Sequence, residues 1–529
     1  QLPPYAETIF RRTYAFDEKE DWFGCANRVS RFVAGNDDKL ADRFFDVISK
    51  RKFIPGGRYL YSAGHSIAQV TNCFLCGGDL DSREAWGELL DRHVVSLSLG
   101  GGVGTEYSSV RPRGTPIGRY GGVASGPLAV MNMVNEVARH VRDGGQRRAA
   151  LIAILAWWHQ DIEEFITAKN WSSHIKALKE DDFNFPAPLD MTNISMRLDD
   201  NFFKEIKKND AVRDLYYRVV KNMAKTGEPG LSIDVGKNKN AILRNPCGEI
   251  TSDTPYDTCN LGSINLSRID SLSELEDVTR LAVRFLYKGT YIGTLPHPDF
   301  LAVREKNRRI GLGIMGLHEL CIKNGQAYEP SGLLGKWLHT WEEVSDEEAK
   351  KVAAEHNDVV PVAVRAVAPN GTTSIIGETT SGIEPIFCVA YKRRWLDGSK
   401  WKFQYVVDPT AARLIKEGVN PDDIEDCYKL SRDVERRLAM QAFVQEHVDQ
   451  GISSTINVPE WGEPGNNNAK KFSEILLKYL PKLRGVTVFP EGCRPGQPLT
   501  PIKYETAMKH NNVVYEEDGE RCKGGVCSI

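Results

Sequence analysis

The segment Asn245-Pro246-Cys247-Gly248-Glu249 sets a thiol two residues from a carboxylate and two from an amide, on a stretch that Pro and Gly keep out of a helix. In extended geometry residues i and i+2 face the same way. Asn245, Cys247 and Glu249 would then point into one cavity as an orienting amide, a sulfur reactant and a general base. Taken alone, the cysteine could instead be a small buried hydrophobe. A second thiol pair, Cys522 and Cys527, brackets Lys-Gly-Gly-Val near the end of the chain. Thiols across a Gly-Gly can close a small ring without backbone strain, Lys523 favours thiolate, and a polar tether can carry the pair into a pocket. That is the chemistry of a redox shuttle. Half of a metal site and incidental cysteines are the alternatives, although zinc would want two more ligands that this stretch lacks.

Pro369-Asn370-Gly371-Thr372-Thr373-Ser374 offers hydroxyls and backbone amides after a glycine turn, which suits a phosphate. A helix cap or turn uses the same residue types. The cluster Gly100-Gly101-Gly102-Val103-Gly104 permits close backbone approach but matches neither a dinucleotide fingerprint nor a P-loop. Gly144-Gly145-Gln146-Arg147-Arg148 couples a flexible pair to two guanidiniums and could sense a nucleotide phosphate, or be a solvated charged turn. No His-Glu-x-x-His or paired Cys-x-x-Cys is present, so no metal held by dedicated protein ligands is expected.

Elements able to position these groups are plentiful in 529 residues of ordinary globular composition, 41% hydrophobic and 26% charged. The net charge of −3 supplies no global reason for nucleic-acid or membrane attachment. No apolar run is long enough to span a bilayer, and Gln1-Leu2-Pro3-Pro4 lacks the pattern of a secretory signal, so a cytoplasmic protein is expected. Eleven dispersed cysteines argue for reduced thiols, with any disulfide a working one. Helical spacing over Ala41–Lys50 ahead of Pro55-Gly56-Gly57 predicts a helical N-terminal segment, 1–58. From 59 to 500, apolar runs such as Leu151–Leu155, Ile310–Ile314, Ser374–Ile376 and Gly485–Phe489 alternate with amphipathic stretches, which predicts an α/β catalytic domain. Residues 501–529 turn polar and are expected to form a flexible redox tail.

Together these segments resemble the ribonucleotide reductase large-subunit family, in its order, across roughly Tyr59 to Gln497. The resemblance rests on Asn72-Cys73-Phe74-Leu75, Gly100 to Gly104, Asn193-Ile194-Ser195-Met196, Asn245 to Glu249, Cys259-Asn260-Leu261-Gly262-Ser263-Ile264-Asn265-Leu266, Arg308-Arg309-Ile310-Gly311-Leu312-Gly313 and Ser381-Gly382-Ile383-Glu384-Pro385. It implies a ten-stranded α/β barrel with Cys247 on a central loop as the thiyl site. Glu249 would accept the 3′-hydroxyl proton while Asn245 orients the sugar. Cys73 and Cys259 would supply two electrons and end as a disulfide, which Cys522 and Cys527 would reduce before being reduced by a thioredoxin- or glutaredoxin-like partner. Phosphates of a ribonucleoside di- or triphosphate would sit on Asn370, Gly371, Thr372, Thr373 and Ser374.

Family members make the thiyl from adenosylcobalamin, from a separate metal-containing subunit, or from a glycyl radical. The two-subunit type resembles a relay through adjacent tyrosines after the last barrel strand. Here that stretch is Val488-Phe489-Pro490-Glu491, and the one adjacent pair, Tyr216-Tyr217, precedes Cys247. Gly492-Cys493-Arg494-Pro495-Gly496-Gln497-Pro498-Leu499 resembles the cobalamin-dependent class, so adenosylcobalamin is the expected cofactor. The short Cys522–Cys527 unit resembles the two-subunit class and keeps a radical-generating subunit as the alternative; a non-catalytic nucleotide-binding relative is another. The chain begins too near the barrel for the ATP-binding module of some relatives. A deoxynucleotide effector is expected near Asp79, Asp81 and the Gly144–Ala150 loop, at the interface of a homodimer.

Overall fold

The computed structural model describes residues 1–118, 121–141, 150–182, 184–397, 400–464, 468–493, 499–510 and 513–516. Three helices open the chain: α1 (Pro4–Thr13), α2 (Trp22–Ala34) and α3 (Asp38–Ser49). Asp21 and Asp37 cap the latter two by accepting from the Gly24 and Leu40 amides. Each turns an apolar stripe inward. Phe285, on helix Leu272–Gly289, packs against Phe44, Phe53 and Tyr59 at ring-centroid distances of 5.2, 5.3 and 4.9 Å, tying these helices to the domain behind them.

That domain begins with five parallel strands, β1 (Cys73–Cys76), β2 (Gly102–Glu106), β3 (Leu151–Ala156), β4 (Thr192–Asp199) and β5 (Gly230–Asp234). Helices fill the crossovers between them, as parallel pairing requires. A second set follows: β6 (Thr258–Asn265), β7 (Ile310–Met315), β8 (Thr455–Val458) and β9 (Gly485–Pro490). β6 pairs antiparallel with β1 and parallel with β7, while β9 pairs parallel with β8 and antiparallel with β5. Residues 363–368 join the two ends. The Leu312 amide donates to the Val364 carbonyl at 2.9 Å, and the Val367 amide donates to Gly451, just ahead of β8, at 3.1 Å. Counting 363–368, ten strands therefore follow one another round a ring of two antiparallel halves, the ten-stranded α/β barrel that the resemblance implied.

Two expectations are corrected. Ser374–Ile376 is no strand: Thr373–Gly377 is a short helix, because Asn370 at φ 56° and the following Gly371 turn the chain so that a helical turn starts at the hydroxyls. Part of the stretch expected to be flexible is structured, within residues 501–510 and 513–516. Leu499–Pro501 and Val514–Glu516 flank the hairpin Ala390–Asp397/Lys400–Val407, with Tyr515 stacked on Phe403 and His510 on Tyr405. Aromatic packing outweighs the polar composition there. No helix among the described residues is long and apolar enough to cross a membrane.

Candidate active site

Inside the ring a minimal hairpin, Leu243–Arg244 paired with Thr251–Ser252, carries the turn that bears Cys247. Its root is anchored by the Arg244 guanidinium, which donates to the Asp234 carboxylate and, at 3.2 Å, to the Ile233 carbonyl at the end of β5. Leu243 and Ile250 are buried with Leu75, Leu261, Ala366 and Ala368 in a small interior cluster, and each leucine or isoleucine so buried contributes about 1.5–3 kcal/mol. The turn is held by very close backbone approach. A Cβ on Gly104 would lie 1.6 Å from the Arg244 carbonyl oxygen, and one on Gly451 would lie 2.4 Å from the Gly248 oxygen. The Gly451 amide also donates to the Glu249 carbonyl at 2.7 Å. The glycine at 104, which local sequence left without a task, is thus what lets this loop into the barrel.

Asn245, Cys247 and Glu249 do line one cavity, though not by the extended geometry expected. Gly248 donates its amide to the Asn245 carbonyl at 2.9 Å and sits at φ 80°, so Pro246 and Cys247 form the centre of a tight turn. The cavity is about 630 Å³ and includes Cys73, Asn245, Cys247, Glu249, Asn370 and Thr372 among its lining. Cys247 is exposed at the turn's tip, whereas Cys73 and Cys259 are buried and stand directly opposite each other across the β1–β6 pairing. Opposed antiparallel residues have Cα atoms about 4.5–5.5 Å apart, within reach of a disulfide. Asn245 ties the two regions together: its Nδ2 donates to Cys73 Sγ at 3.1 Å and its Oδ1 accepts from the Ile250 amide at 3.0 Å.

Burial dominates the electrostatics. Desolvation pushes the Glu249 carboxyl up to about 7, partly offset by the Asn245 amide, and among the described residues its Oε2 has no hydrogen-bond partner. An unpartnered carboxylate oxygen in a cavity is poised to take a proton from a ligand. Burial also pushes both interior thiols well up. Glu249 and the neighbouring sulfurs add to this at Cys73; at Cys259, Arg309 opposes it while Asp257 and Glu249 reinforce it. Both therefore stay protonated at neutral pH, suited to giving up hydrogen.

Of the phosphate segment, Asn370 to Thr373 line the cavity, and among the described residues the amides of Gly371, Thr372 and Thr373 have no acceptor. Asn370 is held by the Ser263 hydroxyl at 3.1 Å. Ser374 is not at the cavity: it is buried and its hydroxyl pairs with Ser381 at 2.8 Å. Local sequence missed the contribution of the N-terminal helices, because Arg12, Thr13, Tyr14 and Arg58 reach the cavity only through tertiary packing. The Tyr14 and Thr372 hydroxyls share a hydrogen bond. Asp79 and Asp81 follow the carboxyl end of β1 and do not line the cavity; Asp81 is taken up by Arg111 at 2.9 Å. Ala150, by contrast, enters the opposite, amino end of β3 and does line it. Gly144, Gly145, Gln146, Arg147, Arg148, Cys522 and Cys527 lie outside the described residues. Tyr216 is buried on helix Asp210–Thr226, its hydroxyl on the Ser473 carbonyl, away from the cavity.

Comparison with known proteins adds a family. The model for "Ribonucleotide reductase, barrel domain" matches residues 71–213, 207–332 and 338–487, and that for "Ribonucleotide reductase, all-alpha domain" matches residues 1–67. Vitamin B12-dependent ribonucleoside-diphosphate reductases are similar along most of the chain. That of Mycobacterium tuberculosis (strain H37Rv) is 28% identical over 94% of this chain and 78% of its own. That of Thermoplasma acidophilum is 28% identical over 98% of this chain and 74% of its own. The ribonucleoside-diphosphate reductase large subunit of Danio rerio is 23% identical over 95% and 77%.

Proposed function

Because the chain belongs to the ribonucleotide reductase family, we propose that it reduces ribonucleotides to 2′-deoxyribonucleotides with adenosylcobalamin as radical source. The observation that carries the reading is the convergence on one cavity of an exposed Cys247, a buried Glu249 whose Oε2 is unpartnered among the described residues, and Cys73, with Cys259 directly opposite Cys73 behind it. Open space adjoins the Cys247 turn, since a Cβ on Gly248 would meet nothing within 4 Å, and the exposed thiol would there face the reactive end of the cofactor. When bound, adenosylcobalamin supplies, through homolysis of its cobalt–carbon bond, the means of taking the hydrogen atom from that thiol.

The chain's own residues account for the rest. The Cys247 thiyl takes the 3′-hydrogen while Glu249 accepts the 3′-hydroxyl proton, which assists loss of the 2′-hydroxyl as water with a proton from the dithiol. Cys73 and Cys259 then deliver the remaining hydrogen and electron and join as a disulfide, Glu249 returns its proton to the 3′-oxygen, and Cys247 returns hydrogen to the 3′ carbon. One ribonucleotide and two thiols thus become one deoxyribonucleotide, one disulfide and one water. Asn245 fixes the geometry through Cys73, and the open amides at Gly371 to Thr373, with Arg12 and Tyr14, receive the phosphates. Cys522 and Cys527 would reduce the disulfide and pass the electrons to a thioredoxin- or glutaredoxin-like protein. The effector site, with Gly144 to Arg148, would form in a homodimer.

The test is anaerobic reduction of a ribonucleotide by the purified chain with dithiothreitol and adenosylcobalamin, beside Cys247→Ala. Cobalamin-dependent product that vanishes in the variant supports the reading. Activity that needs a metal-loaded partner subunit instead would overturn the radical source.

A further inference from the structure

We propose that His339, Glu342 and His447 form a binding site for a zinc-type divalent transition metal on the outer side of the barrel. None of the three lines the cavity. One ligand atom from each lies within 4.8 Å of the other two, and His447 Nδ1 is 2.7 Å from Glu342 Oε2. His339 and Glu342 are three residues apart on helix Gly332–Glu355, hence on one face, while His447 follows the end of helix Val434–Gln445.

Two features separate this from a casual surface ion pair. The first is the backbone beneath it. Arg365, itself buried, donates from Nε to the His447 carbonyl at 2.7 Å and from Nη1 to the Ser345 hydroxyl at 2.8 Å and to Asp346 Oδ1 at 2.6 Å. The same Nη1 is 3.3 Å from the Glu342 carbonyl, so one guanidinium bolts both ligand-bearing elements together. The backbones that carry His447 and Glu342 are therefore held together before any ion arrives. The second feature is the donor set. Two imidazole nitrogens with one carboxylate favour zinc, cobalt or nickel over magnesium or calcium.

Metal–ligand distances of about 2.0–2.1 Å in a tetrahedron place ligand atoms roughly 3.3 Å apart, so the largest separation must shorten by about 1.5 Å. His339 is exposed and can rotate to supply this, while the His447–Glu342 pair, 2.7 Å apart, opens by about 0.6 Å as the ion replaces its hydrogen bond. Three protein ligands leave a position for water, and Glu343, with Oε1 3.2 Å from His339 Nε2, pairs with that imidazole. A metal here would clamp the outer helix to the 446–450 segment. That segment continues through Gln450, bonded to Arg309 and to the Ile310 carbonyl, into Gly451, which holds the Glu249 carbonyl.

The test uses the full chain, stripped with chelator and titrated with Co²⁺ under reducing conditions. The expected result is one equivalent showing d–d bands without sulfur-to-cobalt charge transfer, displaced by Zn²⁺, with a melting temperature that rises on binding. His339→Ala, exposed and so harmless to folding, and His447→Ala should each weaken this binding by at least about tenfold. Equal affinity in wild type and both variants, or binding only of the thiolate type, would overturn the site and leave the His447–Glu342 contact an ordinary ion pair.

Discussion

Glu249→Gln tests the chemistry of the site and the physics of its burial together. Burial lifts this carboxyl from 4.5 to about 7, so between those values the folded chain keeps a proton that the unfolded chain has lost. Stability from this group therefore falls as pH rises through that window and is fully lost above it. A shift of about 2.5 units corresponds to about 3 kcal/mol, most of it accumulated between about pH 5 and about pH 8. Glutamine keeps the shape and never ionises. The variant should thus gain roughly 2–3 kcal/mol on wild type between those two conditions, measured by urea unfolding at each pH. Deoxynucleotide formation should fall by about 10²–10⁴ for loss of a positioned base, and wild-type kcat/KM should rise with pH toward a plateau above about 7. A stability difference independent of pH, or a variant within tenfold of wild type in turnover, would refute the argument.

Gly104→Ala should destabilise the fold by about 1–3 kcal/mol and abolish turnover, since its Cβ would overlap the Arg244 carbonyl; urea midpoints and product assays check this. A single turnover without reductant should leave a Cys73–Cys259 disulfide by peptide mass mapping, and Cys73→Ser should form no such bond and no product. Cys522→Ser with Cys527→Ser should lose turnover supported by thioredoxin and retain that supported by dithiothreitol, which separates shuttle from chemistry. Tyr14→Phe breaks the bond to Thr372 and should raise KM by up to about tenfold with kcat little changed; an unaltered KM would remove Tyr14 from the phosphate subsite.

The barrel strands at Leu151–Ala156 and Ile310–Met315 were legible because a strand buried on both faces is a short continuous apolar run; Gly485–Pro490, where Thr487 is exposed, buries one face only. Also legible was the shared cavity of Asn245, Cys247 and Glu249, since all three stand within one pentapeptide. What local sequence could not show was contact between distant parts. Only the register of β1 against β6 sets Cys73 opposite Cys259, and only packing brings Tyr14 to Thr372 or His447 to Glu342. The Ser374–Ile376 stretch failed for a different reason: three apolar-leaning residues fit a strand or a helical turn equally, and the backbone at Asn370 decided it.

The burial that makes the dithiol useful also dictates how it must be recycled. Cys73 and Cys259 are 5% and 1% exposed and held protonated, which keeps them from oxidation by solvent species and preserves their hydrogens for the substrate. The same burial bars a folded protein reductant from the disulfide, because its own thiolate cannot approach two buried sulfurs of which only Cys73 lines the 630 Å³ cavity. A slim thiol pair would not be so barred, which is the role proposed for Cys522 and Cys527 with Gly-Gly between them. On that proposal substrate and thiol pair would use the cavity in turn, so product release would precede each reduction of the disulfide.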